Sequence, residues 1–377
     1  MIYLDHAATT PVPRAVADAM YEVLTEQFGN PSSQYPMGLE MKRRVEVWRK
    51  TVADALGCGA KQLFFTSCGT EADNWAVTAA CWQNRHLGRH IVTTAVEHSA
   101  VLEACRWMER QGYEVTYLVP AQDGSLSAEQ VLAAVRQDTA LVSCMLVNNE
   151  LGNIYPIAEI ARGLAVKNPQ TLLHTDAVQG FLKVPCSAKT LGADFLTISA
   201  HKIGGPKGIG ALYIGPRVRN PKPLLAGGGQ EEGMRSGTEP MPQIAAFGEA
   251  VRIAKAEMPE ANKRMEALRA QCVQTLTDTV PDIVFLGGGS AHILSLSLPG
   301  YRSEVLMNYL EAKGIYVSKS SACKRGKRSH VLEAIGAPDK VVDGALRVSF
   351  SRYTTAEECA YFCEALAAAR KELYPSL

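Results

Sequence analysis

The chain has 377 residues, with 39 Lys and Arg against 38 Asp and Glu, so its formal net charge is +1 at pH 7. This balance argues against a nucleic-acid or membrane-surface protein, because such partners usually select a basic excess. No apolar run is long enough to span a bilayer, and the start MIYLDHAATT lacks the features of a signal peptide. We expect a cytoplasmic protein of two domains, with no direct nucleic-acid or membrane partner.

Short apolar runs alternate with amphipathic stretches through the first two thirds of the chain. The strand candidates are QLFFTS (62–67), HIVTTAV (90–96), EVTYLV (114–119), ALVSCMLV (140–147), TLLHTDA (171–177) and DFLTISA (194–200). Between them lie helical patterns such as AEQVLAAVRQD (128–138). Near-continuous apolar strands alternating with helices predict an α/β domain, with a mostly parallel sheet flanked by helices.

The pattern changes after about residue 256. A long helical stretch, PEANKRMEALRAQCVQTLTDTV, leads into ILSLSLPG, the helix SEVLMNYLEAK, another strand and a last helix after TTAEE. This order predicts a smaller α+β domain. We divide the chain into an N-terminal arm (1–15), a large domain (16–256) and a small C-terminal domain (257–377).

Polar residues follow five of the six candidate strands, at the ends where open α/β sheets bind ligands. After FFTS, Gly69 allows a tight turn into a helix, and a helix N-terminus offers free N–H groups to an anion. The other strands deliver His98, Asn148, Asp176 with Gln179, and Ser199 with His201 and Lys202.

Each of these residues has a plain structural explanation. His98 alone is more often a hydrogen-bonded structural histidine, Asp176 a helix cap and Lys202 a solvated lysine. Their combination matches one cofactor, because pyridoxal phosphate needs a lysine for its Schiff base, an acid beside its pyridine nitrogen and a phosphate site. We therefore predict Lys202 as the Schiff-base lysine, with Ser199 and His201 as phosphate donors.

Motifs along the whole chain resemble those of one family. They are YLDHAATTP (3–11), GNPSS (29–33), FTSCGTEADN (65–74), EHSAV (97–101), NNExG (148–152), HTDAVQ (174–179), SAHKIGGPKGIGALY (199–213) and GGGQEEGMRSGTEP (227–240). This set is similar to the NifS/IscS-like cysteine desulfurases, in the class V aminotransferase group of fold-type I pyridoxal-phosphate enzymes. The resemblance continues to RVSFSRYTT near residue 355.

The resemblance implies a role for each matching cofactor residue. Asp176 would pair with the pyridine nitrogen, Gln179 with the phenolic oxygen, and His98 would stack on the ring and transfer protons. The phosphate would be held by four residues of the same subunit and by one residue, Thr238, that reaches across from a partner subunit. The four residues are Gly69, Thr70, Ser199 and His201. A site shared in this way implies a homodimer.

Two residues would bind the carboxylate of the substrate, L-cysteine, according to the resemblance: Asn148 and Arg347. For Arg347 the sequence offers some support of its own, because a lone arginine inside the strand-like LRVSFS is costly to bury without an anion. An arginine on a solvent-facing edge strand is the alternative that the residues alone leave open.

Cys323 lies in the basic segment KSSACKRGKRSHVL (319–332). Nearby cations favour the thiolate, which is the nucleophilic form of cysteine. The alternative is a solvated basic loop that carries an incidental cysteine. The resemblance implies that Cys323 attacks the sulfur of L-cysteine, carries it as a persulfide and leaves L-alanine as the other product, which makes the protein a sulfurtransferase.

The persulfide would pass to a sulfur-acceptor protein, in iron–sulfur cluster assembly or tRNA thiolation, and a basic loop suits an acidic acceptor. The alternatives are a selenocysteine lyase, another class V enzyme, or a non-catalytic scaffold homologue. Cys68 stands where the family usually has glycine, and we predict that it is structural. The scattered cysteines, Cys359 and Cys363 included, predict no metal site.

Overall fold

The computed structural model describes residues 1–319 and 328–375, and Cys323 lies outside these ranges. The strands of the described residues are β1 (Ile2–Tyr3), β2 (Leu63–Thr66), β3 (His90–Thr94), β4 (Glu114–Leu118), β5 (Thr139–Ser143), β6 (Leu172–Asp176), β7 (Phe195–Ser199), β8 (Gly210–Ile214), β9 (Val284–Leu286), β10 (Ile293–Ser297), β11 (Ile315–Tyr316), β12 (Ser318–Lys319) and β13 (Ala345–Ser349).

The α-helices of the same residues are α1 (Arg14–Thr25), α2 (Pro36–Leu56), α3 (Gly69–Gln83), α4 (Ser99–Arg110), α5 (Ala128–Ala134), α6 (Ile157–Lys167), α7 (Ala188–Leu191), α8 (Met241–Thr279), α9 (Ser303–Ala312), α10 (His330–Ala334), α11 (Asp339–Asp343) and α12 (Ala356–Glu372). Short 3₁₀ helices occur at Ala60–Gln62, Ala200–Lys202 and Glu231–Gly233.

The main sheet has seven strands in the order β2-β8-β7-β6-β5-β3-β4. Only β8 runs against the others, since it pairs antiparallel with both β2 and β7. All six candidate strands of the sequence lie in this sheet, which confirms the predicted α/β fold with a mainly parallel sheet.

Alternate residues of these strands pack on opposite faces of the sheet. Leu141 and Leu172 join the apolar cluster beneath α3 and α4, whereas Val142 and Leu173 join the larger cluster on the other face. Both faces are therefore covered, which is why the strands are apolar at nearly every position.

Two of the predicted elements are shorter in the structure. The run ALVSCMLV leaves the sheet after Ser143, although Cys144 and Val147 stay buried. The helix predicted at 128–138 ends at Ala134, because Val135 has an extended backbone with ψ of 123°. In both cases burial continues beyond the element, so the apolar pattern alone overestimates its length.

The C-terminal region has a four-stranded antiparallel sheet in the order β12-β13-β10-β9. The helices α8, α9 and α12 pack with this region, as an α+β unit requires. The N-terminal arm also reaches it, because β1 pairs with β11 and Asp5 bridges Ser349.

The long helix α8 connects the two regions. It packs against α1 and α2 and also against α12, and it continues through Pro259 without ending. The boundary that we placed between residues 256 and 257 therefore falls inside one helix, and the division stays a prediction. In the described residues, no helix is long and apolar enough to cross a membrane.

Candidate active site at the carboxyl edge of the sheet

The five strands that carry polar residues, β2, β3, β5, β6 and β7, run in the same direction and end at one edge of the main sheet. The connections that follow them hold the residues selected from the sequence. Parallel strands bring their carboxyl ends together, which is why residues distant in sequence share this edge.

Lys202 follows β7 in the 3₁₀ helix Ala200–Lys202. Its Nζ donates to the carbonyl oxygens of Ala7 at 2.6 Å and Ala8 at 2.8 Å. The N-terminal arm therefore lies against this amine, a contact between parts of the chain that are almost 200 residues apart.

The glycines after Lys202 are required by close approaches within the protein. A Cβ at Gly205 would lie 2.7 Å from the Cβ of Ala200, and one at Gly204 would lie 2.9 Å from Nη2 of Arg352. Gly204 also has a φ of +90°, a conformation that side chains disfavour. These glycines hold the turn that places Lys202.

Two buried carboxyl groups meet beside an imidazole. Asp176, Asp73 and His98 each have a side-chain ligand atom within 4.8 Å of the other two. Burial raises the pKa of both carboxyls, and the charge of Asp73 raises that of Asp176 further. An Oδ of Asp176 also accepts the backbone N–H of Val178 at 2.9 Å. A cation or a protonated ring nitrogen next to this pair would relieve the repulsion.

The same three groups have the residue types and spacing of a possible metal site. A metal ion there would occupy the position that Asp176 is predicted to offer to a pyridine nitrogen. Within the described residues, this cluster is the place to test our expectation that the protein binds no metal.

The predicted phosphate site is built from β2–α3 and β7. Gly69 begins α3 and is buried, and a Cβ there would lie 3.0 Å from Val178 and 3.7 Å from the Cβ of Ser199. The Ser199 hydroxyl is buried and has no hydrogen-bond partner in the described part of the chain, whereas Thr70 is exposed at the helix start. A buried hydroxyl without a partner at a helix N-terminus is what an anion there would satisfy.

His201 lies on the arm side of this site, with Nδ1 3.2 Å from the Thr9 hydroxyl. Burial, and then the positive charges of Lys202, Lys207 and Lys183, lower the pKa of His201 to about 3. The imidazole is therefore neutral near pH 7. It can donate one hydrogen bond to an anion, but it offers no positive charge.

Gln179 is buried next to the arm. Its Nε2 donates to the carbonyl oxygen of Ala7 at 2.8 Å, and its Oε1 accepts from Nζ of Lys183 at 3.3 Å. The carbonyl of Ala7 therefore accepts from both Gln179 and Lys202, which places two of the predicted cofactor residues at one oxygen atom.

Asn148 is fully buried, and its amide is used by the protein itself. Its Oδ1 accepts the backbone N–H groups of Glu150 and Leu151, and its Nδ2 donates to the carbonyl of Val96 and the sulfur of Met145. The side chain holds the loop after β5, and its predicted contact with a substrate stays a prediction.

Arg347 lies in β13 with only 2% of its surface exposed, so the alternative of a solvent-facing arginine is wrong. Nη2 donates to a carboxylate oxygen of Asp5 at 2.7 Å and Nη1 to the carbonyl of Asn149 at 2.9 Å. Its Nε is buried and has no hydrogen-bond partner within residues 1–319 and 328–375. The guanidinium therefore already holds one carboxylate and keeps a donor for another.

Two other residues from the sequence lie apart from these contacts. Thr238 is exposed in the segment before α8, and its reach into a partner subunit stays a prediction. Cys68 is the residue directly before α3 and is half-buried, with its sulfur 3.7 Å from the Ser67 hydroxyl. The structural role predicted for Cys68 stays a prediction.

Cys323 lies outside the described residues, but the chain that follows it is anchored at the site. Ser329 donates to a carboxylate oxygen of Glu150, in the loop after β5. Nε2 of His330 is 3.1 Å from the carbonyl oxygen of Glu97, the residue before His98.

Several site residues were not selected from the sequence. Asp73 and Glu97 are acids among buried positions, and Lys183, His6 and His292 line a cavity behind Lys202. Only for Asp73 did the sequence carry a signal, because this acid falls on the apolar face of α3. For the others, only the folded chain shows that they share a site.

The comparisons with known proteins cover nearly the whole chain. The family model for class-V aminotransferases matches residues 2–362. A cysteine desulfurase IscS of Methanosarcina thermophila is 43% identical over 362 residues, which are 95% of this chain and 89% of the relative.

Solved structures give the same result. A NifS-like protein superposes with a TM-score of 0.92 and 38% identity, covering 99% of this chain and all of the other. A structure titled SspA in complex with cysteine has a TM-score of 0.79 and 30% identity, over 94% of this chain and all of the other. From the site geometry and these matches together, the chain belongs to the class-V aminotransferase family, within its group of cysteine desulfurases.

Proposed function

We propose that this protein is a cysteine desulfurase, a sulfurtransferase that removes sulfur from L-cysteine and leaves L-alanine. The observation that carries the proposal is that Lys202, the Asp73–Asp176–His98 group and a buried Ser199 hydroxyl meet at one sheet edge, the hydroxyl having no partner among the described residues. The relative from Methanosarcina thermophila is named for this activity, and SspA was solved with cysteine.

Class-V aminotransferases depend on pyridoxal phosphate, and the residues present fit that cofactor. Ser199 and the start of α3 offer donors to its phosphate, and Asp176 offers a carboxylate to its pyridine nitrogen. When bound, the cofactor withdraws electrons from the Cα of an attached amino acid. Lys202 would hold it covalently, and Gln179 would donate to its phenolic oxygen.

The chain's own groups would then act on the substrate. Arg347 keeps a buried donor that can orient the substrate carboxylate. Nζ of Lys202 would take the Cα proton, and His98 would stack on the ring and transfer protons. In the step assigned to Cys323, its thiolate forms a bond to the substrate sulfur while the carbon–sulfur bond breaks. The electron pair of that bond stays with the carbon skeleton, which is protonated to alanine.

The anchoring of Ser329 and His330 supports the part assigned to Cys323. These residues follow it by six and seven positions, and His330 contacts the residue that precedes His98. The described chain from Ser329 onward therefore begins in contact with the site, which supports the role proposed for Cys323.

The proposed sulfur acceptor would be a protein of iron–sulfur cluster assembly or tRNA thiolation. Two cations of the basic segment 319–332 are ion-paired within the described residues. Lys319 bonds Glu304 at 2.9 Å, and Arg328 bonds Asp339 and Asp343 at 2.8 Å each. A charge reversal designed to test the acceptor surface therefore belongs at Arg325, because reversal of Arg328 would also break local contacts.

We also propose a homodimer that places Thr238 in the partner's site. In support, large apolar side chains are exposed on α1, α2 and the segment between them, namely Tyr21, Leu24, Phe28, Tyr35, Met37, Leu39 and Val47. Exposed apolar surface of this kind commonly marks an interface. The cytoplasmic location stays a prediction.

The test is to incubate the purified protein with L-cysteine and a reductant and to quantify sulfide and alanine. Equal amounts from the wild type, with loss in Cys323→Ala and no loss in the matched variant Cys68→Ala, would support the proposal. Activity that survives Cys323→Ala would instead indicate a lyase without a persulfide. A wild type that forms neither product would contradict the proposal.

A further inference from the structure

Lys183 is a lysine of the site region to which the mechanism above assigns no step. It lines a cavity of about 40 Å³ behind Lys202, together with His6, His292 and Arg352. Its Nζ is 3.3 Å from Oε1 of Gln179, and no carboxylate of the described residues lies within 4 Å of it. A buried ammonium group without a counter-ion is costly, so its retention requires a reason.

The backbone holds this lysine firmly in place. Leu182, directly before it, has a φ of +56°, which is unusual for a residue other than glycine. The N–H of Lys183 donates to the carbonyl of Gly180 at 2.9 Å, and its own carbonyl accepts from Asn262 of α8 at 2.9 Å. Such strain persists only where surrounding contacts impose it. Here the strained residue, Leu182, directly precedes the lysine whose side chain lines the cavity beside Lys202.

A short chain of hydrogen bonds connects Lys183 to Lys202. Nζ of Lys183 donates to Oε1 of Gln179, whose Nε2 donates to the carbonyl of Ala7 at 2.8 Å. The same carbonyl accepts from Nζ of Lys202 at 2.6 Å. Because its oxygen is held by Lys183, the amide of Gln179 must direct its N–H groups toward Ala7 and the predicted cofactor position.

The titratable groups around Lys183 are mostly basic, and the two histidines among them are neutral near pH 7, because burial lowers the pKa of both. His6 comes from the arm, Lys202 from the segment after β7, His292 from the start of β10, and Arg347 and Arg352 from β13 and the segment after it. The two arginines have carboxylate partners, Asp5 and Glu257. Burial, and then the charges of Lys202, Arg347 and Arg352, lower the pKa of Lys183 to about 7.

We propose that Lys183 is a positioning residue, which fixes the orientation of the Gln179 amide and lowers the proton affinity of the Lys202 nitrogen. The inference rests on the proposed function for its cofactor. The effect is reciprocal, because two like charges each disfavour protonation of the other. A nitrogen that loses its proton more readily is present more often in the unprotonated form near neutral pH, and that is the form that acts as base and nucleophile.

The test is the pH dependence of the visible absorbance of the Schiff base in the holoenzyme, which needs no turnover. We compare Lys183→Met, which removes the charge, with Lys183→Arg, which keeps it. Lys189→Met is the matched control, because Lys189 is exposed on α7. We expect the midpoint to rise by roughly 1 pH unit in Lys183→Met. It should stay at or below the wild-type value in Lys183→Arg and be unchanged in Lys189→Met.

A second measurement covers the case in which Lys183→Met binds too little cofactor. In cofactor-free protein, the pH dependence of acetic anhydride labelling at Lys202, read by mass spectrometry, should move in the same direction and order. An unchanged midpoint in Lys183→Met, or equal shifts in the Met and Arg variants, would overturn the proposal. The absence of any Schiff-base absorbance in the wild type would instead count against the proposed function.

Discussion

The site has an acidic side and a basic side, and on both sides burial shifts the pKa of the ionisable groups toward the neutral form. On the acidic side Asp73, Asp176 and Glu97 are buried, and burial raises the pKa of each carboxyl. On the basic side Lys183 is half-buried and His292 is buried, both near the positive charge of Arg347, and desolvation lowers the pKa of each.

The comparison shows that ionisable groups of one kind collect on each side, carboxyls on the acidic side and basic side chains on the other. A cofactor with its basic ring nitrogen toward the carboxyls and its acidic phenolic oxygen toward the lysines would neutralise the charge on both sides. Desolvation therefore favours one orientation of the cofactor before any specific contact is formed.

The largest effect is expected from breaking the acidic side at Asp176. Asp176→Asn should lower the rate of alanine formation on the order of 10²–10³-fold, because a neutral amide cannot stabilise a protonated ring nitrogen. Asp73→Asn should cost only about tenfold, since Asp73 acts through Asp176. Rates per bound cofactor decide this, and equal losses in the two variants would contradict the assigned roles.

The basic side is broken most sharply at Asp5. Asp5→Asn leaves the guanidinium of Arg347 buried without its counter-ion, and Arg347 is only 2% exposed. We expect the free energy of unfolding in urea to fall by about 3 kcal/mol. Asp18→Asn, which breaks the exposed pair with Arg14, is the control and should cost less than about 1 kcal/mol. A similar small loss in both would show that the buried pair contributes no more than a surface pair.

Glu97 tests the acidic side through pH. Burial raises the pKa of this carboxyl to about 8, from a usual value of 4.5. The native state therefore binds more protons than the unfolded state between these values, and stability falls as pH rises, by at most about 1.4 kcal/mol per pH unit. Glu97→Gln should flatten that fall between pH 5 and 8 in urea titrations. A slope that is unchanged in the variant would assign the fall to other groups.

The smallest effect is expected at Ser199, which belongs to neither side. Ser199→Ala removes a buried hydroxyl that has no hydrogen-bond partner among the described residues, so the folded protein itself should lose little stability. Affinity for pyridoxal phosphate should fall roughly tenfold, because one hydrogen bond to a charged group is lost. Reconstitution of cofactor-free protein, followed by absorbance, measures it, and Ser67→Ala is a matched control. An unchanged affinity would mean that the phosphate does not contact Ser199.

Much of this site was predictable because strand ends are readable from the chain. Asp176 and Lys202 follow buried apolar runs, and the parallel arrangement of those runs places both at one edge. The partners of these residues were not predictable in the same way. Asp5 belongs to the arm and Arg347 to β13, and nothing local in either segment indicates that they are joined.

The boundary between domains shows the same limit. Pro259 with the acid after it looks like the start of a helix, because proline favours a first helical turn. In the structure the helix begins at Met241 and passes through Pro259, held by packing against α1 and α2 before it and α12 after it. Tertiary contacts outweigh the local signal here.

The sequence by itself determined the alternation of strands and helices, the edge at which ligands bind and the residues that carry the predicted chemistry. These follow from apolar periodicity and from residue types at strand ends, which are local properties of the chain. Only the tertiary structure decided that Asp73 lies beside Asp176, that the arm covers Lys202 and that Lys183 shares its cavity with two histidines. Those arrangements depend on burial and on contacts between distant segments, and the pKa shifts that prepare the site arise from that burial.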